Sequence, residues 1–230
     1  MSEKHLLLYL DAPMQSWGYS SRFNRRTTAS WPVKSGIVGM LCAAMGIVRD
    51  DEAGIARIAA LAMKIYTLKN DGRRLMDYHT VGGGYDRKNT WERQCIVHTA
   101  EGKLKPEDKQ AVLTDREYLL DCKFGVVLSG NEDVVKQCAA ALENPKWGVW
   151  FGRKCCLPAA RICEGIFDSI EAAEVCLHEI AMENRWKTKG WRVVREAEHF
   201  DDGTDSLMDV PLNFVTRQYR TRRIADEFEE

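Results

Sequence analysis

The chain has 230 residues, 45% of them hydrophobic, with 33 Lys or Arg against 34 Asp or Glu and a formal net charge of −1. That length suits one large domain or two small ones with a real core, and the composition excludes a disordered chain. A near-neutral balance argues against a general polyanion binder, and the lack of any apolar run of about 18 residues argues against a membrane-spanning helix.

The N-terminal MSEKHLLLYLDAP has a short apolar run and no small-residue cleavage site, so it reads as a mature, cytoplasmic start. Within it KHLLLYL (4–10) predicts a strand. SWPVKSGIVGMLCAAMGI (30–47) predicts a helix from Ser35 to Ile47, apolar all round and therefore buried. A second helix is expected over 50–62, with Asp50 or Asp51 as N-cap and Ile55, Ile58 and Leu61 facing inward. MKIYTLK (63–69) predicts a strand, and YLLDCKFGVVLSG (118–130) contains another. NEDVVKQCAAALE (131–143) predicts an amphipathic helix capped by Asn131, with two acids in its first turn. WGVWF (147–151) reads as a short aromatic strand or loop.

From residue 4 to about 152 the order is strand, helix, strand, long insertion, strand, helix, strand. That is the order of the split βαβ, ferredoxin-like unit and of the RRM, whose sheet is a common RNA platform. The expected fold class is α+β. It has an RRM-type palm over 1–76 and 115–230, the second part carrying a C-terminal extension, and a thumb-like insertion at 77–114.

The insertion contains a triple glycine at 82–84, then Tyr85, Arg87, Lys88, Trp91 and Arg93. Interleaved aromatics and cations suit a stacking contact with nucleic acid, although a plain surface loop also tolerates them. The eight cysteines include no C-x-x-C pair, so they read as free, reduced and structural. DDGTDSLMD (201–209) lacks EF-hand spacing, and no H-E-x-x-H occurs, so neither metal nor cofactor is expected.

Charge is uneven along the chain. Three tracts hold cations and no acid: Ala12–Arg49 with Arg22, Arg25, Arg26, Lys34 and Arg49; Asn144–Cys163 with Lys146, Arg153, Lys154 and Arg161; and Val210–Ala225 with Arg217, Arg220, Arg222 and Arg223. Brought together they form a positive face; apart, they are solvated surface. Glu164–Glu183 is acid-rich.

The predicted helix start has two readings. Ser35 as N-cap, Gly36 beside the first amides and Lys34 as a full charge would make a phosphate site. Alternatively, Ser35 only caps and Gly36 only packs.

Six ordered motifs carry a family resemblance: L-D-A-P-M-Q-S-W-G, R-R-T-T-A-S-W-P-V-K-S-G-I-V-G-M-L, D-Y-H-T-V, T-D-R-E-Y-L-L-D-C-K-F, W-F-G-R-K-C-C-L-P and P-L-N-F-V-T-R-Q-Y. Over almost the whole chain the sequence resembles CasD-type subunits of type I-E CRISPR Cascade complexes, in the RAMP superfamily. The resemblance implies a non-catalytic subunit that holds the 5′ handle of the crRNA in antiviral defence. Its thumb would lie near the first guide bases, the backbone and large subunits would dock alongside, and target DNA would enter with the assembled complex.

Carried over by motif, the handle-binding candidates are Gln15, Trp17, Arg26, Thr28, Lys34, Ser35 and Gly36, the loop Gly152, Arg153 and Lys154, and Arg217. His79, Tyr85 and Trp91 fall in the thumb, with Arg87 and Arg93 among them. Residues 164–209 and the thumb's middle, HTAEGKLKPEDKQA, match little in the family. A sister branch cuts CRISPR repeat RNA without metal, and Tyr78, His79 and His98 are the groups such chemistry would use here. The M-Q-S-W-G signature resembles the non-cutting branch.

Overall fold

The computed structural model describes residues 2–19, 24–99, 101–106, 111–197 and 199–228. In chain order its strands are β1 (Glu3–Asp11), β2 (Met14–Gln15), β3 (Arg25–Arg26), β4 (Ala62–Lys69), β5 (Arg74–Val81), β6 (Val112–Leu120), β7 (Lys123–Asn131), β8 (Cys163–Phe167), β9 (Arg192–Glu196), β10 (Asp205–Asn213) and β11 (Gln218–Phe228). The helices are α1 (Lys34–Met45), α2 (Glu52–Ala59), α3 (Thr90–Cys95), α4 (Glu132–Glu143) and α5 (Ile170–Glu183).

Seven strands form one sheet in the order β10-β11-β9-β4-β7-β1-β8. Its β4-β7-β1-β8 half is antiparallel and has the strand order of the ferredoxin-like unit, with α1 and α2 following β1 and α4 following β7. The fourth strand of that unit is β8, however, and not WGVWF at 147–151, which is a loop. Gly148 and Gly152 interrupt that stretch, and glycine weakens a strand interior. Its Phe151 instead turns inward and stacks on Trp17, ring centroids 6.0 Å apart.

The apolar run of β1 is continuous because both faces of the sheet are covered. Leu6, Leu8 and Leu10 pack with α1, α2 and α4, while Leu7 and Tyr9 pack with Leu177 and Ala181 of α5. Gly125 of β7 admits that helix, since a Cβ there would lie 2.6 Å from a Leu177 methyl. The sheet face that serves an RRM as its RNA platform is therefore closed by α5. Residues 164–209, which match little in the family, supply this cover in α5, then β9 and the start of β10.

Local capping follows the sequence in two places. Asn131 accepts hydrogen bonds from the amides of Asp133 and Val134 at 2.9 and 3.2 Å. Asp51 accepts one from Gly54 at 2.9 Å, and Ile55, Ile58 and Leu61 are buried as expected. The eight cysteines are all free, and burial pushes the Cys42 thiol up to about 12.

The insertion is built on a long hairpin. β5 and β6 pair in register from Arg74↔Leu119 to Val81↔Val112, and α3 lies beyond their end. At its base β6 also pairs with β2 and β3, so the second sheet ties the thumb to residues 14–26. Among the described residues no helix is long and apolar enough to cross a membrane, and no group of three His, Cys, Asp or Glu is placed to hold a metal.

Candidate nucleic-acid interface

The start of α1 differs from both sequence readings. Its N-cap is Val33, with no side-chain cap, so Ser35 is not the cap. Instead Asp209, far along the chain on β10, accepts the Lys34 amide at 2.8 Å. A carboxylate of the protein thus occupies the positive helix end that a phosphate would seek.

Lys34 is withdrawn as well. It is only 4% exposed, and its Nζ lies 2.6 Å from Glu196 Oε1 on β9. Arg222 of β11 grips Asp209 at 2.7 and 2.9 Å and stands 3.5 Å from Glu196. Burial lowers the Lys34 ammonium below the usual lysine range, although Glu196 pulls the other way. These two cations and two carboxylates neutralise each other and bind α1 to the C-terminal strands. Lys34 is therefore corrected from phosphate ligand to internal ion pair.

Three more candidates prove to be internal. Gln15 is fully buried; its amide donates to the carbonyls of Leu10 and Cys122 at 3.0 and 2.8 Å and accepts from Trp17 Nε1 at 3.0 Å. Trp17 is buried against Phe151. Buried Thr28 accepts the Trp17 amide at 2.7 Å. They need polar partners because they are buried, and they find them in the protein. Gly36 has a packing role too: a Cβ there would lie 2.8 Å from the Trp17 ring.

The other candidates, Arg217 apart, converge. Arg26, Ser35, Gly36, Gly152 and Arg153 line one open cavity of about 290 Å³. It shares Ser35, Gly36 and Gly152 with a neighbouring groove of about 580 Å³ that adds Arg49, Trp150 and Lys154. Among the described residues, no carboxylate lines either of them. By contrast, the cavity of about 520 Å³ at the thumb base includes Glu117, Asp205 and Asp209.

Within the site the two loop cations have different duties. Arg153 donates to the carbonyls of Glu117 and Arg26, both at 2.9 Å, and lies over the Tyr118 ring at 4.5 Å. It staples the loop to the thumb base. Lys154 is exposed and stands 5.6 Å from the Trp150 ring, with its ammonium available to an anion. Near the thumb base, burial works to raise the Glu117 carboxyl, but the Thr28 amide and Arg74 outweigh it and hold it below its usual value.

Arg217 sits exposed in the turn between β10 and β11, in the left-handed region at φ 57. Phe214 from the same turn lines both cavities and Tyr219 the smaller one. Arg222 is buried in the ion cluster, so the third tract contributes fewer free cations than its composition suggests. Arg22 lies outside the described residues. Arg49, Trp147 and Trp150 also line the larger groove, and the acid-free tract and the aromatic run WGVWF mark them in the sequence.

On the thumb, His79 pairs with Asp77 at 3.4 Å, Arg87 reaches the Lys105 carbonyl, Trp91 is 63% exposed, and Arg93 is exposed on α3 beside it. Tyr85 lies between the triple glycine and α3. None of these lines the acid-free cavities.

Fold and site together define an RRM-derived palm-and-thumb protein with a glycine-rich, cationic cavity beside the thumb base. Comparison with known proteins places it further. The profile of the CRISPR-associated protein (Cas_Cas5) family matches residues 5–225, and the chain belongs to that family. CRISPR system Cascade subunit CasD of Escherichia coli strain K12 is 30% identical over 163 residues, covering 66% of this chain and 66% of that protein. A chain from a solved CRISPR RNA-guided surveillance complex superposes with a TM-score of 0.76 at 28% identity, covering 98% of this chain and 90% of that one. A crystal structure of a Cas protein gives 0.66 at 25% identity, covering 98% and 94%.

Proposed function

We propose that the protein is a non-catalytic RNA-binding subunit of a CRISPR surveillance complex. It holds the 5′ handle of the crRNA across the acid-free cavities, with the backbone and large subunits alongside and the thumb near the first guide bases. The observation that carries this reading is the meeting of residues from all three acid-free tracts around adjoining cavities that no described carboxylate lines. A phosphodiester backbone needs that charge environment, and glycines at 36 and 152 let it approach the main chain.

The geometry supports binding over cutting. Tyr78 and His79 are consecutive residues of β5, so their side chains project to opposite faces of the hairpin. His98 lies in the bridge to Leu104, beyond the end of that hairpin. None of these three groups lines the cavities, so none of them stands as a base beside the cations there.

Lys154→Ala is expected to weaken handle-RNA binding at low salt whatever the handle sequence. It should reduce the slope of log affinity against log salt by roughly 0.7, the single-strand value for one neutralised phosphate. The RNA should be recovered uncut, with or without magnesium. An unchanged slope removes Lys154 from the phosphate path. Site-specific cutting abolished by His79→Ala or His98→Ala would establish the nuclease reading instead.

Deleting residues 82–95 removes α3 and the triple glycine beyond the paired ends of β5 and β6. The palm should keep a cooperative thermal transition, because neither core cluster draws on that segment. Guide-loaded complexes carrying the deletion should engage target DNA more weakly. Loss of the cooperative transition would make the thumb part of the folding unit.

A further inference from the structure

The loop between α5 and β9 reads N-R-W-K-T-K-G over 184–190, three alternating cations and no acid directly after the acid-rich Glu164–Glu183. It faces the turn Asn70–Gly72 after β4 and the end of β11, and together they enclose an open cavity of about 540 Å³. Lys69, Lys187 and Lys189 line it with Trp186 and Phe228. It shares no lining residue with the acid-free cavities.

The charges here are unevenly matched. Arg192, which also lines the cavity, is neutralised by Asp226, to which it donates from Nε at 2.7 Å. Lys69 has Asp71 at 3.8 Å. Among the described residues, Lys187 and Lys189 enter no ion pair, and both are exposed. Phe228 is 74% exposed, an unusual position for a phenyl ring at the end of a paired strand. Trp186 is held against Tyr9, ring centroids 6.3 Å apart, which anchors the loop just ahead of its two free lysines.

Free ammonium groups beside an exposed aromatic face are the elements of a single-strand contact, in which cations follow phosphates and a ring stacks a base. We propose that this cavity is a second nucleic-acid site, separate from the handle site, with Lys187 and Lys189 on backbone phosphates and Phe228 under a base. An acidic peptide meets the lysines equally well but gains no stacking partner from the ring.

The test uses the full chain and fluorescein-labelled rU12 and dT12, neither of which carries a handle sequence. A Lys187→Glu/Lys189→Glu double variant should lose about tenfold in affinity, for both oligonucleotides if phosphates and bases suffice. Loss for rU12 alone assigns the site to RNA, and loss for dT12 alone assigns it to DNA. Phe228→Ser should lower affinity by a further factor without changing the salt slope, because it removes stacking and no charge. Circular dichroism checks that the exposed substitutions leave the fold intact. Handle-RNA binding and its Lys154 dependence should persist in the double variant, so failure of one site is distinguishable from failure of the other. Unchanged affinity for both oligonucleotides, or weak wild-type binding that no variant alters, overturns the proposal. Unchanged affinity with lost subunit association overturns it in favour of a protein partner.

Discussion

Lys34→Ala should destabilise the protein by about 3 kcal/mol, the low end of the range for breaking a buried ion pair. The Lys34 side chain is 5% exposed and Glu196 27%, so removing the lysine leaves a mostly covered carboxylate near Asp209 with only Arg222 for company. Partial access to water keeps the cost from the upper end. In a domain of this size the melting temperature should fall by roughly 10 °C. Ser35→Ala should change little, since Val33 and Asp209 set the helix start and no Ser35 side chain caps it. Urea unfolding of both variants decides the matter. A loss below about 1 kcal/mol for Lys34→Ala would mean that the pair contributes no more than an exposed one. The salt dependence of RNA binding should be untouched by Lys34→Ala where folding is maintained, which separates a structural lysine from a phosphate ligand.

Gly152→Ala should be comparably damaging for a different reason. Gly152 has φ 91, and a Cβ there would overlap the Ser16 carbonyl oxygen. Ser16 cannot give way freely, because its amide donates to the Phe151 carbonyl at 3.1 Å and its hydroxyl to the Glu117 carbonyl at 3.1 Å. Backbone strain and overpacking each cost of order 1–3 kcal/mol, so a loss of about 3 kcal/mol is expected. Handle binding should fall with it, since displacing residue 152 also moves Arg153 and Lys154. Gly72→Ala is the control: its φ is 73, yet a Cβ would meet nothing within 4 Å. It should cost only the left-handed penalty, about 1 kcal/mol. Equal effects from the two substitutions would show that φ alone, and not the close approach of Ser16, demands glycine at 152.

The fold of the palm was legible because its signals are local. β1, α2, β4 and α4 each announce themselves by an apolar pattern or a cap, as Asn131 and Asp51 do, and hydrogen bonds of short range realise them. The fourth strand was misplaced because WGVWF and the segment forming β8 are both short and apolar in part. Their fates depend on which one meets the free edge of β1.

The candidate site divides along the same line. The tracts Ala12–Arg49, Asn144–Cys163 and Val210–Ala225 are legible in composition, whereas Gly152, Arg153 and Lys154 are legible as site residues only in the motif W-F-G-R-K-C-C-L-P. Composition by itself determined that positive charge is concentrated in parts of a nearly neutral chain. Which cations face solvent was decided by tertiary structure alone. Asp209 and Glu196 lie 175 and 162 residues from Lys34, and they turn a lysine at a helix start into an internal ion pair. Residues 164–209 likewise match little in the family, yet α5, which they contain, closes the second face of the sheet. The physical reason is common to both: a charge or an apolar face is satisfied by whatever the fold brings within a few ångströms, and sequence distance carries no trace of it.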